Sequence, residues 1–137
     1  MGPERIAIES DADVVTARQR ARQLAIALDM PSTDQTLLAT AISEIARNIT
    51  AYAVRGEVLI DRVRDPRDGR EGVRVVARDE GPGIEDLEKA LTDGYTTGGG
   101  LGLGLPGARR LVDDFDIETA PGKGTTVTLI KWTRGVG

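Results

Sequence analysis

Strand-like segments in this sequence fall in adjacent pairs, and that pairing limits the folds open to the chain. EVLIDRV and VRVVARD, spanning Glu57–Val63 and Val73–Asp79, are separated by Arg64 and the polar turn DPRDGREG, so they read as a hairpin. Ile117–Thr119 and Thr125–Trp132 flank the turn APGKG in the same way. A doubly wound parallel sheet needs a helix between successive strands, and here the strands meet directly. The expected class is therefore α/β in the broad sense, a two-layer α+β sandwich. Its sheet should be mostly antiparallel or mixed, covered by helices.

The remaining segments supply those helices. Ile6 and Ile8 alternate with Arg5, Ala7 and Glu9 in a short first strand. Val14, Ala17, Ala21, Leu24, Ala25 and Leu28 then recur at helical spacing after Asp11, and Met30-Pro31 ends that run. Ser32 opens STDQ, and Gln35 three residues on predicts a capping box. The second helix extends to about Ala53 on Leu38, Ala41, Ile42, Ile45, Ile49 and Tyr52. GIEDLEKAL predicts a short helix and DGYTTGGG a loop. LGLPGARRLVDDF predicts a helix with Leu105, Ala108, Leu111, Val112 and Phe115 on one face. The order is β-α-α-β-β-(α)-α-β-β.

Composition removes several chemistries. The 137 residues suit one domain with a core, expected to span 1–137. With neither cysteine nor histidine, the chain can form no disulfide, no thiolate or imidazole metal site and no Ser-His-Asp triad. The lack of cysteine fits a cytoplasmic setting. No apolar run approaches the roughly 20 residues needed to span a bilayer, and the N-terminus lacks the pattern of a signal peptide, so no membrane association is expected. Net charge is −4, and 15 of the 18 cations are Arg, dispersed among acids. One Phe, one Trp and two Tyr make no stacking platform for bases. No nucleic-acid partner is expected.

Four stretches carry possible chemistry. In VRVVARD, period two puts Asp79 on the same face as Val73, Val75 and Ala77. A carboxylate on an apolar face needs donors, and Gly81 and Gly83 of DEGPG allow close approach beside it. For this short, common stretch taken alone, an acid that merely caps a turn or the next helix is the better account. Glu44 and Asn48, the sole asparagine, are four apart on the second helix. They project about 100° from the centre of its apolar stripe, at the rim of the core. Arg47 projects the other way. A solvated polar rim is the simpler account of that pair in isolation. The glycine-rich run Gly98–Gly107 precedes a helix, and its backbone amides suit an anion. It contains GxGxxG but follows no strand, and it lacks the GK[ST] of a Walker loop. GKGTTV, entering the last strand, is by itself a hairpin turn.

Together and in this order, the four stretches resemble the boxes of the GHKL superfamily, whose ATP-binding domain is shared by gyrase, Hsp90, histidine kinases and MutL. AISEIARNI, DEGPGI, DGYTTGGGLGLGLPGARRLVDDF and the ending IKW narrow the likeness to the RsbT switch kinases of bacterial stressosomes. These are serine/threonine protein kinases similar to the RsbW and SpoIIAB anti-sigma kinases. The resemblance implies the GHKL (Bergerat) fold, a mixed, mostly antiparallel sheet with helices on one face. It implies ATP and Mg²⁺ as cofactors.

Residue by residue, the resemblance makes Glu44 the catalytic base and Asn48 the Mg²⁺ ligand. Asp79 would bind the adenine amino group, with Gly81 and Gly83 against the purine. Gly98, Gly99, Gly100, Leu101, Gly102, Leu103 and Gly104 would form the lid and phosphate loop. Thr125 would support the adenine side. The implied partners are STAS-domain proteins, an RsbS-like antagonist and an RsbR-like scaffold, and a PP2C-type phosphatase resembling RsbU. The competing expectation is an ATP-dependent anti-sigma factor or a partner-switching module with little catalysis.

Overall fold

The computed structural model describes residues 3–52, 56–81, 104–119 and 122–133. Its elements run β1 (Glu4–Ile8), α1 (Asp11–Ala27), α2 (Ser32–Tyr52), β2 (Gly56–Arg64), β3 (Glu71–Asp79), α3 (Gly104–Leu111), β4 (Asp114–Thr119) and β5 (Thr125–Trp132). The strands form one sheet in the order β1-β2-β3-β5-β4. All four ladders among the described residues are antiparallel. Both expected hairpins are present. The expected short helix over GIEDLEKAL and the loop DGYTTGGG lie outside the described residues.

Register explains the two layers. Ile6, Val58, Ala77 and Val127 stand in one cross-strand row, Ile60, Val75 and Leu129 in the next. All are buried. Against them pack Val14, Ala17, Ala21 and Ala25 of α1, Leu38, Ile42, Ile45 and Ile49 of α2, and Leu105 and Ala108 of α3. Small residues on α1 let it lie close to α2 and the sheet. The opposite sheet face carries paired charges. Glu57 accepts from Arg5 at 2.7 Å and from Arg78 at 2.8 Å. Arg5 and then Arg78 hold its carboxyl below the usual carboxylate range. Arg74 grips Asp61 through two nitrogens, at 3.1 and 2.8 Å.

Two local expectations need correction. Ser32 is the first residue of α2 instead of its cap, and Gln35 Nε2 donates to the Met30 carbonyl at 2.8 Å. Reciprocal capping occurs one helix earlier, where the Asp13 carboxylate accepts from the backbone N–H groups of Glu9 (2.9 Å) and Ser10 (3.2 Å). The helix expected to reach Phe115 ends at Leu111, and Phe115 belongs to β4. The two aspartates at its end bond to the last strand instead. Asp113 accepts the Trp132 N–H at 2.7 Å, and Asp114 accepts the indole N–H at 2.6 Å. Tertiary bonds there override helical periodicity.

At the β2–β3 turn, the side chain of Asp65 is 2% exposed. Its carboxylate accepts from the Arg67 backbone N–H at 2.8 Å and from two guanidinium nitrogens at 3.1 and 2.9 Å. Those bonds, the Arg67 side chain first, pull its pKa down to about 2. Because the folded value is depressed, this contribution to stability is complete above the ordinary Asp range near about 4 and is lost as pH falls toward the folded value. Denaturant melts of wild type and Asp65→Asn should therefore differ clearly at pH 6 and converge toward pH 2. A constant gap across that range would contradict the assignment.

Candidate functional site

One end of the sheet brings together Asp79 and Thr125, both singled out in the sequence. Gly56, Asp79, Thr125 and Thr119 are consecutive cross-strand partners in the final row of β2, β3, β5 and β4. All share the core-facing parity, so their side chains emerge where the apolar rows run out. Asp79 sits as its parity predicts, half-buried and supplied with donors. The Gly81 N–H donates to its Oδ1 at 2.9 Å. Burial pushes the Asp79 carboxyl above the usual carboxylate range, opposed by the backbone N–H groups of Gly81 and Thr125. A carboxylate in that setting is ready to accept a further neutral donor from a ligand.

Two close approaches lock this end. A Cβ added to Gly56 would stand 2.4 Å from the Arg78 carbonyl oxygen, 2.8 Å from Ile49 Cγ2 of α2 and 3.1 Å from Asp79 Cβ. Gly56 is thus where the helix layer meets the strand that ends in Asp79. Gly124, at φ +77°, leaves only 2.2 Å between such a Cβ and the Asp79 carbonyl oxygen. That contact presses the β4–β5 turn onto the Asp79–Glu80 backbone. Thr119 Oγ1 donates to the Gly124 carbonyl at 3.1 Å and lies 3.0 Å from Thr125 Oγ1. Thr119 escaped the sequence reading, because its partner lies across a turn and nothing in ETAPGKG marks it.

On α2, Glu44 and Asn48 are both buried, at 6% and 8% exposure. They occupy the rim that the helical projection assigned them, one turn apart and beside Ile45 and Ile49. No side-chain hydrogen bond joins Asn48 to another described residue. No buried side-chain nitrogen or oxygen among the described residues lacks a partner, so the amide opens toward the rim, where it is free to meet a ligand or metal. Arg47 corrects the sequence reading. Far from projecting away, its Nη1 donates to Glu44 Oε1 at 3.3 Å. Positions i and i+3 are neighbours on a helix surface, and the long Arg stem curls back over them.

Gly104 opens α3, which packs on α2. Gly83, Gly98, Gly99, Gly100, Leu101, Gly102 and Leu103 lie outside the described residues. Among the described residues no group of three or more acidic, histidine or cysteine side chains is placed to hold a metal by itself. A Mg²⁺ at Asn48 would then have to draw its other oxygens from a ligand such as a phosphate chain, as this ion commonly does.

Comparison with known proteins identifies the family. Residues 33–134 match the family described as histidine kinase-, DNA gyrase B-, and HSP90-like ATPase. The chain is 45% identical over 129 residues to the serine/threonine-protein kinase RsbT of Bacillus subtilis, covering 94% of this chain and 96% of that protein. It is 34% identical over 97 residues to an anti-sigma F factor of Caldanaerobacter subterraneus, covering 68% of this chain and 66% of that one. The mycobacterial sensor histidine kinase MprB superposes with a TM-score of 0.56 at 16% identity, over 98% of this chain and 99% of that chain, a likeness of fold. The chain belongs to the histidine kinase-, DNA gyrase B-, and HSP90-like ATPase family.

The packing of the last turn yields a test. Gly122 and Gly124 share φ +77°, but an added Cβ meets nothing within 4 Å at Gly122. Alanine at either position costs about 1–2 kcal/mol for the left-handed backbone. Gly124→Ala should lower the melting temperature further than Gly122→Ala, because it must also displace the Asp79 carbonyl. Equal melting temperatures would refute the close contact.

Proposed function

We propose that this member of the family is an ATP-dependent serine/threonine protein kinase whose 137 residues work as one domain. Its substrate is a hydroxyl on a STAS-domain antagonist or scaffold of a partner-switching system. Phosphorylation then releases it to activate a PP2C-type phosphatase. The reading rests above all on the arrangement at one sheet end. Glu44 and Asn48 are buried a turn apart on α2, next to strand ends where Asp79 has surplus acceptor capacity. The match to RsbT over 94% of the chain supports the protein-kinase branch.

The division of labour follows from the side chains. Asp79, with Thr125 and Gly81 beside it, binds the adenine amino group. Gly83 and the run Gly98–Gly104 supply backbone to the purine and phosphates. Asn48 would hold Mg²⁺, and the ion when bound would neutralise phosphate charge. Glu44 accepts or orients the substrate hydroxyl proton. Phosphoryl transfer asks for little covalent chemistry from the protein, so positioning dominates. No helix among the described residues is long and apolar enough to cross a membrane. We take the working location to be the cytoplasm, where such STAS partners would be met.

The relation to anti-sigma F factors supports a second reading, a nucleotide-gated binding module that sequesters a sigma factor. It ranks lower because that likeness covers 68% of the chain. Incubation with labelled ATP and a purified STAS-domain partner should label that partner. Glu44→Ala should bind ATP as wild type does and lose transfer by ~10²–10⁴-fold. A wild type that binds ATP and captures a sigma factor without labelling any STAS protein would reverse the ranking.

A further inference from the structure

We propose that Arg47 is a positioning residue for phosphoryl transfer, acting by fixing the orientation of the Glu44 carboxylate. The proposal rests on the kinase reading with Glu44 as base, and adds a residue to that site. Its structural ground is the ion pair within α2. Arg47 Nη1 lies 3.3 Å from Glu44 Oε1, with the glutamate side chain 6% exposed and the arginine 42% exposed. The carboxylate is therefore held from the solvent side by a guanidinium at the rim.

Three features make this pair more than a surface contact. First, its carboxylate is buried, whereas exposed i, i+3 pairs on helices join two mobile side chains and are worth little. Second, α2 is anchored on both sides of the pair by Ile42, Ile45, Ala46 and Ile49, all buried. The Arg47 backbone therefore cannot shift relative to Glu44. Third, two strand arginines at this end of the sheet are committed elsewhere. Arg5 and Arg78 lie on the opposite sheet face and share Glu57. A guanidinium presents several donors in one plane, so a single bond to Oε1 restricts the carboxylate's rotation while leaving donors toward the open rim.

In the transfer step the substrate hydroxyl oxygen forms a bond to the γ-phosphorus of ATP. The bond from that phosphorus to the bridging oxygen breaks, and ADP leaves with the electron pair. The hydroxyl proton passes to the Glu44 carboxylate. A base that swings among rotamers is seldom aligned for that proton. Misplacement on the order of 1 Å can cost about 10²-fold in rate. Arg47 supplies the alignment without touching the reacting atoms.

The test is a kinetic cycle with γ-labelled ATP and a purified STAS-domain substrate, comparing wild type, Arg47→Ala, Arg47→Lys, Glu44→Gln and the Arg47→Ala/Glu44→Gln double variant. Melting temperature and the KM for ATP are measured for each. Arg47→Met, which keeps the aliphatic stem, replaces Arg47→Ala if that variant melts early. The expected result is a kcat about 10–100-fold lower for Arg47→Ala with KM for ATP unchanged, partial recovery in Arg47→Lys, and a double variant no slower than Glu44→Gln alone. Multiplying losses in the double variant, a raised KM for ATP with kcat intact, or wild-type kinetics in Arg47→Ala would each overturn the positioning role while leaving the kinase reading in place. A wild type that binds ATP and transfers nothing would remove the kinase reading, and this proposal with it.

Discussion

The apolar stripe of α2 on the sheet is the contact on which the site depends. Leu38, Ile42, Ile45 and Ile49 are all 1% exposed or less. Burying side chains of this size contributes roughly 1.5–3 kcal/mol each. Their register fixes where Glu44 and Asn48 stand, because both polar residues ride on the flank of the same helix. A rotation of α2 by one residue would move each by about 100°. The candidate side chains thus inherit their placement from hydrophobic packing, and the close Ile49–Gly56 approach carries that placement to the strand ends.

Strand pairing was legible in the sequence because period two and turn residues are local signals. So was the parity of Asp79, which required only counting back along VRVVARD. The rim position of Glu44 and Asn48 followed from a helical wheel. The Arg47–Glu44 pair was missed although i and i+3 are neighbours on a helix, because a wheel judges the side chain by its Cβ direction and not by the reach of its long stem. The end of α3 was misread for a different reason. Val112 and Phe115 continue the apolar period of LPGARRL, yet Asp113 and Asp114 find better partners on Trp132. Thr119 depended on a contact across a turn and left no trace in spacing.

The two ends of the sheet are built by contrasting rules. At the hairpin end Asp65 is saturated by donors from Arg67, and Arg62 pairs with Glu71. Those carboxylates have little capacity left for a ligand. At the other end Asp79 is only half-buried and accepts from backbone N–H groups, which leaves it acceptor capacity toward the open rim. The family assignment gives that asymmetry a reason. Acceptor capacity is thus kept at the end where the proposed nucleotide site lies and used up at the other.

The outermost strands have a further consequence. Among the described residues β1 and β4 flank the sheet, and β4 is six residues long with Asp114, Asp116 and Glu118 alternating along it. Three carboxylates in a row repel a second strand carrying the same sequence, and a short strand gives it little to pair with. The flank is thereby a poor template for sheet-to-sheet growth. A chain that must remain dispersed at high concentration among other copies of itself would gain from that edge, whatever its nucleotide state.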